Sequence, residues 1–481
     1  MKSLSSLRLL LSAHHLLLPL LLLVASAARS APLQQATMGL STLLATTHSP
    51  QPLLNPYPSH PRLSFSQSQS RSTFKLLVLT DTHLLDDGGS PGNASTLNAL
   101  STTAVEKYLE MEKPDYVVHL GDLISGEAAR SKEEVEEAVG MILGPMIRRG
   151  VPFSTAKGNH DNDKYSTHGM ITRFEQRIAP HLSYTRLAPK GIGGGDVGSD
   201  NYWVPIYSSP SPSGSKAKAA SGAADRPALI LWHFDSRSGK TMLDSSGNQT
   251  QIEDWVHPSV AGWLRREAER MAAAWGLPLP PSIVFTHIPS HDFAYAQQHG
   301  PASEREQIGG VEDESSANFT SAGLRWPGLN EDKPFDGQGA EGVKYAGQDR
   351  AYLDAFLGGG EGRPAGERVH AIVSGHQHGN DWCAPSRLTT SSSGSSASSS
   401  DQDEETQEHQ RQVQTQRVPI CFAKHSGFGG YDKEVKRNHG ARIFEFELNS
   451  TLQTGAETWV RFLTGEKRYA TVLDDAFFAT A

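Results

Sequence analysis

The chain has 481 residues, of which 37% are hydrophobic, and its formal net charge at pH 7 is -9. A chain of this length can bury a large core and could divide into two or three domains. The acidic balance argues against stable nucleic-acid binding, which needs a basic surface, but it does not exclude a small nucleotide substrate.

Residues 1–27 are predicted to be a signal peptide. Lys2 and Arg8 precede an apolar run over residues 16–24, and the small residues 25–27 follow as an A-x-A cleavage site. We therefore expect a secreted protein or one in the lumen of the secretory pathway, of which the vacuole is one compartment. The alternative is an uncleaved signal anchor with a lumenal domain, because the apolar segment over residues 9–28 approaches the roughly 20 residues that span a bilayer.

Two other features favour the secretory pathway. The chain has two cysteines, Cys383 and Cys421, which an oxidising compartment would join in a disulfide, the alternative being two free buried thiols. Four sequons are predicted N-glycosylation sites: Asn93, Asn248, Asn318 and Asn449.

Composition divides the remainder of the chain into one main domain and several polar stretches. Residues 28–73 are rich in Ser, Pro and Gln, which predicts a disordered leader. The main domain is predicted over residues 74–470. Within it, residues 208–225 and 298–345 are expected to form surface loops. A Ser-rich and then Gln/Glu-rich tract at about 388–416 is expected to be a disordered insertion, whose ends the disulfide would join.

Short apolar runs alternate with helical patterns inside the main domain, which is typical of α/β folds. Helices are predicted at 97–111 and 132–148. Strands are predicted at 75–80, 115–120, 228–234, 282–285, 369–373 and 443–448.

Polar motifs occur at or near the ends of apolar strand-like runs. They are Asp81-Thr82-His83, Gly121-Asp122, Gly158-Asn159-His160-Asp161, His287, and Gly375-His376-Gln377-His378. Open α/β sheets place their ligand-binding residues in the loops that follow strand ends. Carboxylate, amide and imidazole groups are present in the number that two adjacent divalent or trivalent metals need. The pattern predicts a two-metal hydrolase.

The spacing of the ligands suggests how the metals are shared. Asp81 and His83 can bind one metal together, whereas Asp122 can bridge to a second through its two carboxylate oxygens. A bridging carboxylate holds two ions roughly 3.5 to 4 Å apart. Asn159 offers a neutral oxygen, which keeps the negative charge low enough for an anionic substrate to approach.

The remaining histidines complete the predicted site. His287 and His376 are expected to bind the second metal, and His378 to turn back to the first. A water between two metals becomes hydroxide near neutral pH because the ions stabilise the conjugate base. That hydroxide is the predicted nucleophile.

His160 is the predicted general acid. It follows Asn159 directly, so it is expected at the edge of the site, where it can protonate a leaving alkoxide or stabilise a phosphoryl oxygen. Asp161 beside it is expected to orient the imidazole and to raise its pKa.

The five motifs, in this order, resemble those of the calcineurin-like metallophosphoesterase superfamily over about residues 74–465. The resemblance implies an α/β fold, a two-sheet sandwich flanked by helices with a dinuclear metal site at the strand ends. It also implies one metal held by Asp81, His83, Asp122 and His378, and another held by Asp122, Asn159, His287 and His376.

Within the superfamily, the tracts at 231–236, 287–289, 380–383 and 424–431 resemble the purple-acid-phosphatase-related secreted phosphatases of fungi and plants. Purple enzymes have an iron-binding tyrosine three residues after the bridging aspartate, where this chain has Ser125. The resemblance therefore implies a colourless enzyme of the non-purple branch, with Fe, Mn or Zn as its two metals.

Other histidines are assigned less specific roles. His119 and His233 lie in predicted strands and are expected to be core residues. His425 lies in a Gly-rich loop that can approach a phosphate, so it is a candidate substrate contact. His291 and His299 are expected at the surface.

Three functional hypotheses follow from the site and the resemblance. The first is a phosphomonoesterase acting on phosphoproteins or small phosphate esters. The second is a phosphodiesterase that uses the same metals on nucleotides or phospholipid head groups. The third is a non-catalytic glycoprotein that keeps the fold.

Overall fold

The computed structural model describes residues 54–478, except 69–70, 209–225, 294–295, 297–346, 360–363, 367, 392–412, 432–438 and 449–454. The predicted signal peptide, and with it the cleavage site, lies outside the described residues, as do Asn318 and Asn449. Of the other two sequons, Asn248 is exposed and Asn93 is half-buried at the start of a helix.

Thirteen strands form the two sheets of the described chain. They are β1 (Ser66–Ser68), β2 (Arg71–Leu79), β3 (Tyr116–Leu120), β4 (Phe153–Ala156), β5 (Tyr202–Ile206), β6 (Leu229–Phe234), β7 (Ser282–Thr286), β8 (Val369–Ser374), β9 (Cys383–Ser391), β10 (Val413–Phe422), β11 (Gly440–Glu447), β12 (Glu457–Phe462) and β13 (Lys467–Val472). The first sheet has the order β13-β12-β11-β2-β3-β4, with β1 paired to β2, and the second has the order β5-β6-β7-β8-β10-β9.

Both sheets contain parallel and antiparallel strands. In the first sheet β2, β3 and β4 are parallel and β11 joins β2 antiparallel. In the second sheet β6, β7, β8 and β10 are parallel, while β5 and β9 pair antiparallel at the edges. The carboxyl ends of β2, β3 and β4 therefore share one edge of their sheet, and so do those of β7 and β8.

The main helices of the described chain are α1 (Ala94–Glu112), α2 (Lys132–Arg149), α3 (His168–Ile178), α4 (Ser259–Trp275) and α5 (Ala351–Phe356). The local sequence explains α2 well. Ser131 caps it by accepting the N–H of Glu134, Glu133 and Glu134 lie in its first turn, and Gly150 ends it in the left-handed conformation.

Successive side chains of β2 point to opposite faces of the first sheet and pack into two different hydrophobic cores. Leu76 and Val78 of β2 pack into the core that also holds Leu231 of β6 and Phe285 of β7, so this core lies between the sheets. Leu77 of β2 faces the opposite way, into a core shared with the first two helices. A third core joins the outer face of the second sheet to α4 and α5. The predicted two-sheet sandwich flanked by helices is confirmed.

The folded region is longer at both ends than the predicted boundaries of 74 and 470. Tyr57, Leu63 and Phe65 are buried in the core between the sheets, so the later part of the predicted disordered leader is folded. Their contribution was missed because a few apolar residues are diluted by Ser, Pro and Gln in the average composition. Leu473 and Phe477 extend the same core beyond residue 470.

Two strands extend into the ends of the insertion predicted at about 388–416. These strands are β9 and β10, which pair as far as Ser391 with Val413. The residues between these strands lie outside the described part of the chain. Cys383 and Cys421 are opposite each other in this pair and form a disulfide, as predicted.

Most of the two predicted surface loops at 208–225 and 298–345 also lies outside the described residues. In the part of the chain that the structure describes, we find no helix with the length and apolar character needed to cross a membrane.

Candidate metal centre

The predicted motifs meet at the carboxyl ends of the parallel strands. Backbone hydrogen bonds join neighbouring loops: the N–H of Asp81 donates to Gly121 at 3.0 Å, and the N–H of Gly375 donates to His287 at 3.0 Å. The predicted ligands are all buried, with at most 6% of any one residue exposed: Asp81, His83, Asp122, Asn159, His287, His376 and His378.

One group of ligand atoms comes from Asp81, His83 and His378. Nε2 of His83 lies 3.1 Å from Nε2 of His378, and the latter nitrogen lies 3.5 Å from Oδ1 of Asp81. The three ligand atoms are within 4.8 Å of one another, close enough to bind a single cation.

A second group comes from Asp122, His287 and His376, again with ligand atoms within 4.8 Å of one another. Oδ2 of Asp122 lies 3.0 Å from Nε2 of His287, and Nδ1 of His376 lies 2.9 Å from Oδ1 of Asn159. The same Asp122 oxygen is 3.5 Å from Nε2 of His83. Asp122 therefore lies between the two groups, which is the position of a bridging ligand.

Contacts behind three of the imidazoles fix their orientation. Nδ1 of His287 donates to the carbonyl of Leu120 at 2.7 Å, and Nδ1 of His378 lies 3.1 Å from the carbonyl of Tyr431. Nδ1 of His83 lies 3.1 Å from Oγ of Ser125, the residue at the position of the purple enzymes' tyrosine. Such contacts leave Nε2 of each ring directed at the centre and are typical of metal-binding histidines.

The backbone of the site is strained. Four of the predicted ligands have left-handed backbone conformations that non-glycine residues rarely adopt, namely Asp81, His83, Asp122 and His376, with φ of 54°, 45°, 51° and 72°. Each such residue costs on the order of 1–3 kcal/mol, and residues of this kind cluster at functional sites. The surrounding fold therefore stabilises a ligand arrangement that the local sequence disfavours.

Two glycines allow the loops to approach the ligands closely. A Cβ on Gly158 would lie 2.3 Å from Oδ1 of Asp122, and a Cβ on Gly430 would lie 2.5 Å from Cε1 of His378. Gly430 also has a φ of +81°. Any larger residue at either position would displace a predicted ligand.

The pKa shifts favour the metal-binding forms of most ligands. Burial opposes ionisation of Asp81, but the neighbouring His378 and His287 outweigh it and hold the pKa of Asp81 at about 2. Burial lowers the pKa of His83 and of His376 to about 3, so both imidazoles are neutral at pH 7. Neutral imidazoles and ionised carboxylates are the forms that bind cations.

His287 differs from the other two histidines. Burial acts to lower its pKa, but the charges of Asp122 and Asp81 outweigh burial and raise the pKa to about 9. Binding of a cation at this position would displace a proton. Taken together, the donor set, its convergence and its protonation fit the metals that the motifs predict.

His160 lies at the accessible edge of the cluster. Its side chain is 36% exposed, and its ring centroid is 4.9 Å from that of His83. The backbone N–H of His160 donates to Oδ1 of Asp122 at 2.8 Å. Burial acts to lower the pKa of His160, but Asp122 and Glu127 outweigh it and raise the pKa to about 10. His160 is therefore accessible to solvent and carries a proton at neutral pH.

Asp161 helps to raise the pKa of His160, as predicted, but the prediction that it orients the imidazole was wrong. Glu127, not Asp161, orients the imidazole, through a contact of 2.9 Å between Oε2 and Nδ1. Asp161 instead accepts backbone N–H groups, from Leu123 at 3.0 Å and from Gly158 at 2.9 Å. The Asp161 carboxylate is directed at these backbone groups and not at the neighbouring His160 ring, because it caps the turn that carries His160. Glu127 was not predicted, although it follows Asp122 by five residues.

The outcome for the other histidines is mixed. His119 and His233 are fully buried core residues, as predicted. The prediction that His425 contacts substrate was wrong, since it is fully buried and its ring stacks on that of His378 at 4.1 Å. His291 is also buried rather than at the surface, with Nδ1 2.7 Å from Asp349. His299 lies outside the described residues.

Comparison with known proteins agrees with this geometry. The sequence pattern of the family described as calcineurin-like phosphoesterase matches residues 74–308. The chain contains a calcineurin-like phosphoesterase domain. The matched segment runs from within β2 to beyond β7 and includes the predicted ligands as far as His287.

The relatives include one protein named as a phosphatase and two named as probably inactive. Probable inactive purple acid phosphatase 14 of Arabidopsis thaliana is 24% identical over 407 residues, which cover 81% of this chain and 80% of that protein. Phosphatase DCR2 of Saccharomyces cerevisiae is 23% identical over 327 residues, 66% of this chain but only 46% of the yeast protein. Probable inactive purple acid phosphatase 28 of Arabidopsis thaliana is 24% identical over 327 residues, 65% of this chain and 67% of that protein.

Proposed function

We propose that this protein hydrolyses phosphate monoesters, such as phosphoproteins or small phosphate esters, in a metal-dependent reaction. The observation that carries the proposal is the buried cluster of ligands with a half-exposed histidine, His160, at its edge. A protein that merely kept the fold would not need strained backbone at four ligands.

The proposed metals, two in number and drawn from Fe, Mn or Zn, would be held by the two ligand groups that share Asp122. When bound, they would lower the pKa of water and neutralise the charge of the phosphate. The side chains then have separate tasks. The imidazoles of His287 and His378 keep their orientation through Leu120 and Tyr431.

His160 is proposed to act on the substrate itself. Its exposure allows contact with a phosphoryl oxygen or with the leaving oxygen of the ester. Glu127 fixes Nδ1 of the ring, so the ring turns a defined edge towards the ligand cluster. A proton donor held in this way assists departure of an alkoxide, which is a poor leaving group without a proton.

The name of DCR2 supports a phosphatase, whereas the names of the two Arabidopsis relatives call them probably inactive. This chain has a complete set of predicted ligands and His160, which favours an active enzyme. We also propose that the protein enters the secretory pathway, since its disulfide between Cys383 and Cys421 needs an oxidising compartment.

The test is hydrolysis of p-nitrophenyl phosphate and of bis-p-nitrophenyl phosphate by the purified, metal-loaded protein, with and without a chelator. We expect the monoester to be hydrolysed faster and the chelator to stop the reaction. Faster hydrolysis of the diester would instead indicate a phosphodiesterase acting on nucleotides or phospholipid head groups. Failure to hydrolyse either ester would contradict the proposal.

A further inference from the structure

The inward face of α3 is polar. His168, Thr172 and Glu175 recur with the i, i+4 and i+7 spacing that places residues on one side of a helix. All three are fully buried. A helix that served only to pack would present apolar residues on this face, so the polar side chains require another explanation.

His168 connects α3 to the loop that carries Asn159 and His160. Its Nδ1 is 2.9 Å from both carboxylate oxygens of Asp235, and its Nε2 is 2.9 Å from the carbonyl oxygen of Gly158. Both nitrogens face acceptors, so the ring must donate from both and carry a positive charge. Burial acts to lower the pKa of His168, but the charge of Asp235 outweighs it and raises the pKa.

Asp235 is also connected, through Asp200, to Lys157 in the loop that carries Asn159 and His160. Its two oxygens also accept backbone N–H groups, from Asp200 at 3.1 Å and from Arg237 at 2.8 Å. The carboxylate of Asp200 in turn accepts from Nζ of Lys157 at 2.9 Å and from Thr172 at 2.7 Å. These contacts therefore form a ring of interactions. It runs from the side chain of Lys157 through Asp200, Asp235 and His168 to the carbonyl of Gly158, the residue after Lys157.

Stability alone does not account for this network. Lys157 also pairs with Glu175 at 3.0 Å, and neither side chain is exposed to solvent. Buried ion pairs can often be replaced by well-packed apolar residues without loss of stability, because desolvation offsets most of their attraction. The charged groups are hydrogen-bonded to the backbone and hold it in one position, which apolar residues would not do.

We propose that His168, held by Asp235, is a positioning residue that fixes the loop from Lys157 to His160 and with it the ligand oxygen of Asn159. His168 is not one of the predicted ligands, and its ring contacts Asp235 and the carbonyl of Gly158. It acts through the carbonyl of Gly158, one residue before the ligand. This inference rests on the proposed metal centre but not on hydrolysis of an ester.

Asp235→Asn is the principal test, in the full chain loaded with Mn²⁺. An amide has one acceptor oxygen where the carboxylate uses two, so the variant cannot satisfy the imidazolium and both backbone N–H groups. We expect affinity for one of two Mn²⁺ ions to fall about tenfold or more, as is typical when a partner behind a ligand is lost. Hydrogen exchange should become faster in peptides covering residues 157–162 but not in those covering 81–83.

Two further variants separate positioning from general destabilisation. His168→Gln keeps one N–H donor and should show a smaller loss of affinity than Asp235→Asn; it also serves as the test if Asp235→Asn does not fold. His233→Gln is the matched control, since His233 is equally buried and lies two residues before Asp235 on the chain, but contacts Ser154 instead. It should leave Mn²⁺ affinity and loop exchange unchanged.

The proposal would be overturned by folded His168→Gln and Asp235→Asn proteins with wild-type Mn²⁺ affinity and loop exchange. It would also be overturned if His233→Gln weakened Mn²⁺ binding equally, because the effect would then reflect general loss of core stability. Neither measurement uses an ester substrate. A protein without phosphatase activity could therefore still pass this test, and an active phosphatase could still fail it.

Discussion

Asp122→Asn is expected to abolish hydrolysis together with metal binding. Oδ2 of Asp122 lies 3.0 Å from Nε2 of His287 and 3.5 Å from Nε2 of His83, so one carboxylate serves both ligand groups. Metals contribute several kcal/mol to such reactions, and each 1.4 kcal/mol is a factor of about ten in rate. Turnover should therefore fall by on the order of 10³-fold or more, with metal content measured by atomic emission on the same sample.

A matched control and a second ligand variant make this result specific. Asp115 also accepts a backbone N–H, that of Lys75, but lies at the opposite end of β3 from the site. Asp115→Asn should retain both metal and activity. His376→Ala should lose both, as Asp122→Asn does. An Asp122→Asn protein with full metal content and full turnover would rule out the bridging role.

His160→Ala is expected to lower turnover while metal stays bound. The residue is half-exposed beside the ligands, and loss of a general acid typically costs about 10²–10⁴-fold in rate. The loss should be largest for esters with poor leaving groups, such as alkyl phosphates, because these need a proton most. The measurement is turnover against a series of esters of rising leaving-group pKa, with metal content determined in parallel.

The role of Glu127 is tested in the same series. Glu127→Gln should reproduce part of the loss, since it removes the carboxylate that lies 2.9 Å from the His160 ring. His181→Ala is the control, because His181 is an exposed histidine outside the site. If His160→Ala hydrolysed alkyl phosphates as fast as the wild type, its assignment as the acid would be wrong.

Much of the site could be predicted because it is organised by strand ends. Asp81, Asp122 and His287 follow apolar strands that are recognisable in the sequence, and parallel strands necessarily bring their carboxyl ends to one edge. The helix α2 was also predictable, since its cap, first turn and terminal glycine are all local signals.

The contacts that orient the site could not be predicted from local signals. Glu127 lies in a short turn, and only the fold brings it to His160. His168 and Asp235 are 67 residues apart, and only the fold brings the start of α3 next to the residue that follows β6. His425 was misassigned because its Gly-rich loop suggests phosphate binding, whereas the fold buries its ring against His378. Such pairings depend on tertiary packing, which neither residue spacing nor composition encodes.

The most direct test of the central claim is a metal titration of the chelator-treated full-length protein, with p-nitrophenyl phosphate as the substrate. The account predicts no hydrolysis after chelation, and recovery on addition of Mn²⁺, Zn²⁺ or Fe²⁺ that reaches its maximum at two equivalents per chain. Hydrolysis that survives complete removal of metal, or a chain that binds two equivalents yet hydrolyses no phosphate ester, would contradict it.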